Sequence, residues 1–417
     1  MQDALAQPES ETAAAGMSGA GKILPSRAQS QPVSRSSRTV LPGRGFAKAA
    51  FERWVDVRNK LLRSARFQEF ASRFPLTRGV ARKRAQDVFD LCAGFVYSQI
   101  LSAHVSLGLL ELLEDGPCTE GHIAAHTNLE PDALRCLLNG GMAVKLLERL
   151  SGDRYALGAR GAALLGTPSA LAMVRHHHLL YRDLGDPVAL LKGHGAPTAL
   201  SAYWGYADNA NAADLSADRT APYTELMDAT LPMVSGEIVT AYDFRQHDCL
   251  MDVGGGSGAF AKAVAGAAPD LKLIVFDLPT VAREASARLR GAGLGGRARA
   301  IGGSFFDDEL PADADAISLV RILLDHDDAH AARILSACHA ALPPGGRLIV
   351  AEQMAETRGA EAMGDAYFGF YLFAMGRGRP RSEAALTGLI RAAGFERVTP
   401  VRMQRPMLTG LIVAEKS

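Results

Sequence analysis

Five short apolar runs, at 248–253, 272–277, 298–301, 315–321 and 346–352, alternate with helical stretches through the second half of this 417-residue chain. Runs of this length that stay apolar, instead of alternating with polar residues, suit strands buried on both faces. Such strands need helices above and below them, and helices between consecutive strands are what parallel connections require. The second half is therefore predicted to be α/β with a mostly parallel sheet. The ending "FERVTPVRMQRPMLTGLIVAEKS" holds two more strands around a turn region, predicted to pair antiparallel at the sheet edge.

The chemistry is expected where these strands end. "CLMDVGGGSGAFAKAVAG" (249–266) reads as strand, glycine loop and helix. Gly254, Gly256 and Gly258 let the backbone turn tightly and approach a ligand closely. With Ala259 in the last place, the loop also satisfies a dinucleotide pattern, so a nicotinamide enzyme stays open. Asp252 discriminates. A carboxylate beside the loop repels a pyrophosphate but suits the cationic amino-acid end of S-adenosylmethionine (SAM). "LIVFDLP" ends the next strand with Asp277 and Leu278, the carboxylate placed for ribose hydroxyls. "GGSFFDD" offers Ser304 and Phe305 to an adenine edge and face, and Arg321 closes the fourth run. Several strand ends aimed at one ligand constrain the reading more than the loop alone.

Composition sets the outer bounds. The chain is 48% hydrophobic and 22% charged with zero formal net charge, so nothing global points to nucleic acid. Five scattered cysteines without a CxxC pair read as buried thiols in a reducing compartment. No apolar run reaches the roughly 18 residues that span a bilayer and no signal peptide is visible, so a cytoplasmic location is expected. Neutrality hides an asymmetry, since Lys22 to Arg84 holds 16 basic residues against Glu52, Asp56 and Glu69.

Residues 1–45, rich in Ala, Ser, Gln, Gly and Pro, are expected to be disordered. Residues 46–85 form a basic amphipathic segment, with Phe51, Trp54, Val55, Leu62, Phe70 and Phe74 roughly on one helical side. A helical stretch over 86–114 follows. Then comes helix, turn, helix and a short Gly-Asp hairpin before "RYAL", a winged-helix outline in which Thr119 or Asn128 caps a helix. Its second helix, "DALRCLLNGGMAVKLL", is too apolar to read DNA, which favours a dimerisation module over a SAM-binding regulator.

The glycine loop, "DLP", "GGSFFDD", "LPPGGRLIVAE" and "AGFERV", in that order, resemble the SAM-dependent O-methyltransferases with an N-terminal winged-helix dimerisation domain. The resemblance implies a Rossmann-like class I methyltransferase domain over 236–417 with a seven-stranded sheet. It also implies a helical, winged-helix dimerisation domain over 86–235, a homodimer, SAM as cofactor and no metal. "RFQEFASRFPLTRGVARKRAQDVFDLCAGFVYSQIL", "MVRHHHLLYRDLGDPVALLKG" and "GDAYFGFYLFAMGRGRPRS" are similar to the 1-hydroxycarotenoid methyltransferases of purple phototrophic bacteria. That likeness implies methylation of a tertiary hydroxyl on an acyclic carotenoid. C-methylation of a bacteriochlorophyll precursor is the alternative, and another hydroxylated small molecule a further one.

One departure stands out. Family members that methylate phenols carry a general-base His where this chain has Leu324, followed by Asp325 and His326. The acid that orients that base in the family falls on Glu352, and a second such acid, expected near Pro380, is gone. Asp325, His326 and Glu352 are thus the candidate proton acceptors, beside transfer driven by positioning alone. "RHHH" (175–178) suggests a metal, but neighbouring side chains on a helix point about 100° apart and do not converge. "ELMDATLPMVSGEIV" (225–239) and "YFGFYLFAMG" (367–376) suit either a long apolar substrate tunnel or ordinary core. A collecting surface for an insoluble substrate is expected in the basic segment, against anionic membrane.

Overall fold

The computed structural model describes residues 43–193, 195–203 and 217–417, and most of the segment expected to be disordered lies outside them. The chain divides into two compact units, one ending at Phe89 and the other spanning Asp90–Ser417.

The first unit holds α1 (Gly43–Arg63), α2 (Ala65–Arg73) and the start of α3 (Arg78–Ser106). Ser64 separates the first two helices and caps α2, its hydroxyl accepting from the Phe67 amide at 3.4 Å. Phe51 stacks on Trp54 and Phe70 on Phe74, and the Arg58 guanidinium lies 4.9 Å over the Trp54 ring. All four of these aromatic side chains are exposed. By length and composition α3 is long and apolar enough to cross a membrane, although no uninterrupted apolar run marks it in the sequence. Asp90, Gln99 and His104 interrupt the run without lowering its average hydropathy below what a span needs.

In the second unit Gly108, with φ of 64°, breaks the single helix expected over 86–114 into α3 and α4 (Leu109–Leu112). The winged-helix outline follows. It comprises β1 (Cys118–Thr119), α5 (Glu120–Thr127), α6 (Pro131–Ala143), β2 (Leu147–Leu150) and β3 (Arg154–Leu157), the strands forming an antiparallel sheet in the order β1-β3-β2. Thr119 caps α5, accepting from the His122 amide at 3.3 Å. Asn128 ends that helix in the left-handed conformation, whereas α6 starts at Pro131 with no side-chain cap. Helices α7 (Ala159–Leu165), α8 (Pro168–Asp183), α9 (Pro187–Lys192), α10 (Ala199–Tyr203) and α11 (Ala217–Ala241) lead to the large sheet.

That sheet contains β4 (Cys249–Val253), β5 (Lys272–Asp277), β6 (Ala298–Gly302), β7 (Ala316–Val320), β8 (Arg347–Glu352), β9 (Thr399–Val401) and β10 (Gly410–Glu415). Their order is β6-β5-β4-β7-β8-β10-β9. The first five are parallel, and β10 pairs antiparallel with both β8 and β9, as the C-terminal pattern predicted. Alternate residues serve two cores, which is why the strands read as unbroken apolar runs. Leu250, Leu273 and Ile349 face the layer of α11, α12 (Ala259–Ala267) and α13 (Pro279–Gly291). Met251, Ile274 and Leu348 face α14 (Asp328–Ala341) and α16 (Glu383–Ala392), while α15 (Phe368–Met375) packs with α8 and α10. Strand order reverses between β4 and β7, and in such sheets the crevice at the carboxyl ends beside the reversal takes the ligand. The cysteines depart from expectation, because only Cys249 and Cys338 are buried and Cys92 and Cys136 are exposed.

Candidate active site

The loop after β4 carries the first group of site residues. Gly254 adopts φ of 70°, a left-handed conformation that favours glycine, and a Cβ there would press on Ile322 Cδ1 at 2.5 Å. Asp252 is buried below the loop, and its Oδ1 accepts from the Ser318 hydroxyl at 2.7 Å. Its Oδ2 is buried with no partner. Burial raises this carboxyl to about 7, with Asp277 adding to the rise and Ser318 opposing it. A buried carboxylate oxygen without a donor is costly and marks a place for a cationic or donor ligand.

Asp277 does more than wait for a ligand. Its Oδ2 accepts from the Gly256 amide at 2.8 Å and its Oδ1 from the Leu278 amide at 2.7 Å, so it ties the glycine loop to the end of β5. Burial lifts it to about 6 against these two hydrogen bonds. Gly258 begins α12 in the left-handed conformation. Phe305 lies close to Gly254 and meets the His326 ring edge-on at 5.8 Å. Ser304 behaves differently. Its hydroxyl donates to Asp307 at 2.8 Å and accepts from the Phe306 amide, so it shapes its own turn.

The stretch after β7 forms the other side. Arg321 takes φ of 60°, uncommon for a side-chain-bearing residue, with its amide donating to Ala351 O at 2.8 Å. Its guanidinium donates to Thr230 Oγ1 at 2.8 Å and reaches Met227 Sδ at 3.0 Å, both on α11. Among the described residues no carboxylate lies within ion-pair distance of it. On the same helix, Asp228 accepts from Ser257 of the glycine loop and from Arg288. These α11 contacts were not legible in the sequence.

Leu324 is buried among Leu180, Leu200, Tyr371, Leu372 and Met375. Asp325 is half-buried. Burial raises its carboxyl to about 7, with Arg321 pulling the other way. No described residue donates a hydrogen bond to it. His326 sits against Phe305, Phe306 and His330, and burial together with His330 and Arg381 lowers it to about 4. Glu352 spends Oε1 on the amides of Ile322 at 3.0 Å and Leu323 at 2.7 Å, while Oε2 is buried without a partner. Burial and Asp325 raise it to about 8. Arg381, buried, donates to Leu323 O, His326 O and Asp328 and so fastens the whole turn. Arg381 follows Pro380, the position where the family's second acid is missing, and nothing in the sequence marks its role.

Residues 181–396 match the O-methyltransferase domain and residues 89–167 the O-methyltransferase dimerisation domain. The chain belongs to the O-methyltransferase family. The demethylspheroidene O-methyltransferase of Cereibacter sphaeroides is 44% identical, over 85% of this chain and 93% of that protein. That of Rhodobacter capsulatus is 38% identical, over 93% and 96%. Among solved structures, the mitomycin 7-O-methyltransferase MmcR superposes with a TM-score of 0.68 at 26% identity, covering 81% of this chain and 100% of its own. The methyltransferase therefore uses SAM, and its dimerisation domain equips it to pair with a second copy.

Proposed function

We propose that this methyltransferase transfers the methyl group of SAM to the tertiary 1-hydroxyl of an acyclic carotenoid of the demethylspheroidene type. The observation that carries the reading is Leu324. A phenol methyltransferase needs a base where this chain buries a leucine in an apolar cluster, and the relatives at 38–44% identity are named for a carotenoid alcohol.

In this reading Asp252 Oδ2 takes the ammonium of SAM, and Gly254, Gly256 and Gly258 give it close backbone approach. Asp277 and Leu278 border the ribose, Phe305 the adenine, with Ser304 supporting that turn. Arg321, with no carboxylate of the described residues at ion-pair distance, is assigned to the cofactor's own carboxylate. Bound SAM supplies a methyl group on a sulfonium, a strong electrophile. The protein's part is to hold the hydroxyl in line and to receive its proton. A tertiary alcohol is a weaker acid than a phenol, so its proton leaves late, once the oxygen has become oxonium-like, and a weak acceptor suffices. Asp325 fits that role better than His326. Its carboxylate accepts no hydrogen bond from any described residue, whereas the His326 ring is packed among other rings. Glu352 and Arg381 hold the turn that carries Asp325.

Labelled SAM and a panel of 1-hydroxycarotenoids, with a phenol and a chlorin precursor as controls, test the assignment. Label in the ether of the carotenoid is expected. Leu324→His leaves the carotenoid rate within a few-fold of wild type, since a base for phenols does not serve a late proton transfer. Label in the chlorin alone, or a large rate gain in Leu324→His, rejects the corresponding part of the reading.

The first unit suits a role in collecting an insoluble substrate at a membrane. Phe51, Trp54, Phe70 and Phe74 are exposed beside Arg53, Arg58, Arg63 and Arg66, and the sequence adds Arg82, Lys83 and Arg84. Aromatic side chains among cations favour an anionic leaflet. Full-length enzyme is expected to sediment with anionic liposomes, less so in high salt, and a chain starting at Gln86 is expected not to. Equal binding by the two rejects the membrane role.

A further inference from the structure

The "RHHH" stretch has found its partners. On α8, His176 Nε2 lies 2.8 Å from the Tyr371 hydroxyl, and His177 Nε2 lies 2.8 Å from the Tyr367 hydroxyl. His178 turns to the backbone oxygen of Arg175 instead. Two adjacent histidines thus meet two tyrosines from "YFGFYLFAMG", and the tyrosine rings stack at 6.0 Å.

The two pairs have the same chemistry but different settings. His176 and Tyr371 are buried with Leu180, Leu200 and Leu324, and they tie α8 to α15. His177 and Tyr367 keep part of their surface accessible although protein surrounds them, as Asp325 does. Tyr367 ends a π-helical turn, Ala362–Tyr367, a geometry that re-aims a side chain and recurs at functional sites. Burial raises its phenol while Arg321 opposes the rise, and Arg321 acts on Asp325 in the same way. Tyr367 also packs against the apolar cluster that buries Leu324, the residue before Asp325, so the pair stands beside the turn that carries the acceptor.

We propose that the His177–Tyr367 pair is a specificity-determining element of the substrate recess, presenting an aromatic face with its hydroxyl already bonded to the apolar chain beside the reacting alcohol. The proposal rests on the substrate reading above. An acyclic hydrocarbon chain has no donor or acceptor to offer, so a wall that takes it must have its own polar atoms satisfied. The His177 imidazole does that for the Tyr367 hydroxyl. Burial lowers its proton affinity and so favours the neutral ring. A phenol bearing further polar groups would lose its hydration against this wall and gain nothing in return. His177 is a positioning residue that acts through Tyr367.

The test compares His177→Leu, Tyr367→Phe and the double variant in the full-length enzyme. The readouts are equilibrium binding of a 1-hydroxy acyclic carotenoid in detergent micelles, KM, kcat and SAM affinity. Either single change leaves one polar atom of the wall unpaired once the hydrocarbon covers it, and is expected to raise Kd and KM about tenfold while kcat and SAM affinity hold. The double variant, with neither polar atom, recovers most of the loss. A purely structural pair would lower kcat and SAM affinity along with substrate binding, and that result overturns the proposal. So does an unchanged KM in both single variants, or a double variant no better than either. Wild-type enzyme that neither binds nor methylates any acyclic alcohol overturns the substrate reading and this role together. Wild-type turnover with unchanged KM in the variants overturns this role alone.

Discussion

Asp325→Asn is expected to lower kcat by roughly 10²-fold, at the modest end of the range for loss of an acid–base group. SAM affinity is expected to hold. The side chain keeps its size, so the turn held by Glu352 and Arg381 is preserved and only the acceptor is lost. The pH profile gives the sharper readout. Burial raises the Asp325 carboxyl to about 7, and a protonated acid accepts nothing. Activity of the wild-type enzyme therefore falls as pH drops through about 7, approaching tenfold per unit below it. Glu352 is also raised, by burial and by Asp325, so the two carboxyls titrate as a coupled pair. The acid limb should vanish in Asp325→Asn. His326→Phe is expected to cost less than Asp325→Asn and to leave the limb in place. A full-size effect in His326→Phe would move the acceptor to the histidine and reject Asp325.

The parts of this fold that were legible in the sequence are the local ones. Each buried parallel strand shows as an unbroken apolar run because its alternate residues serve two cores, as Leu250 and Met251 do. Asp252 and Asp277 were readable because a strand end fixes where the next side chain lies. What escaped depends on pairs distant in the chain or on irregular backbone. Thr230 and Met227 meet Arg321 only because α11 crosses the sheet end, and the sequence gives no register for that crossing. Arg381 looks like an ordinary surface arginine until the chain folds it beneath the 323–328 turn. The engagement of Ser304 is a local matter that the strand pattern does not show, since a nearby aspartate, Asp307, captures its hydroxyl. Helix geometry keeps the histidines of "RHHH" from converging, but one of their tyrosine partners, Tyr367, ends a π-helical turn that a regular period does not anticipate.

Asp252→Asn is expected to weaken SAM binding by one to two orders of magnitude, and Asp252→Ala to abolish it at ordinary concentrations. A charge-assisted hydrogen bond contributes about 1.5–3 kcal/mol, and each 1.4 kcal/mol is tenfold in affinity. Asparagine is the cleaner variant, because it can keep the bond with Ser318 at Oδ1 while replacing the unpartnered Oδ2 with a neutral amide. The pH dependence has a definite sign. Burial raises the Asp252 carboxyl to about 7 in the free protein, so below that pH the group is mostly protonated. An ammonium favours the ionised form and expels the proton, and that proton must be removed before the ion pair forms. SAM affinity should therefore fall as pH drops below about 7 and level off above it, with proton release on binding visible by calorimetry in two buffers. In Asp252→Asn this component is lost, although Asp277, raised to about 6, leaves a shallower dependence at lower pH. Wild-type affinity that is flat from pH 5 to 8, together with unchanged binding in Asp252→Asn, would remove the carboxylate from the cofactor site and with it the physical ground for preferring SAM to a dinucleotide at this loop.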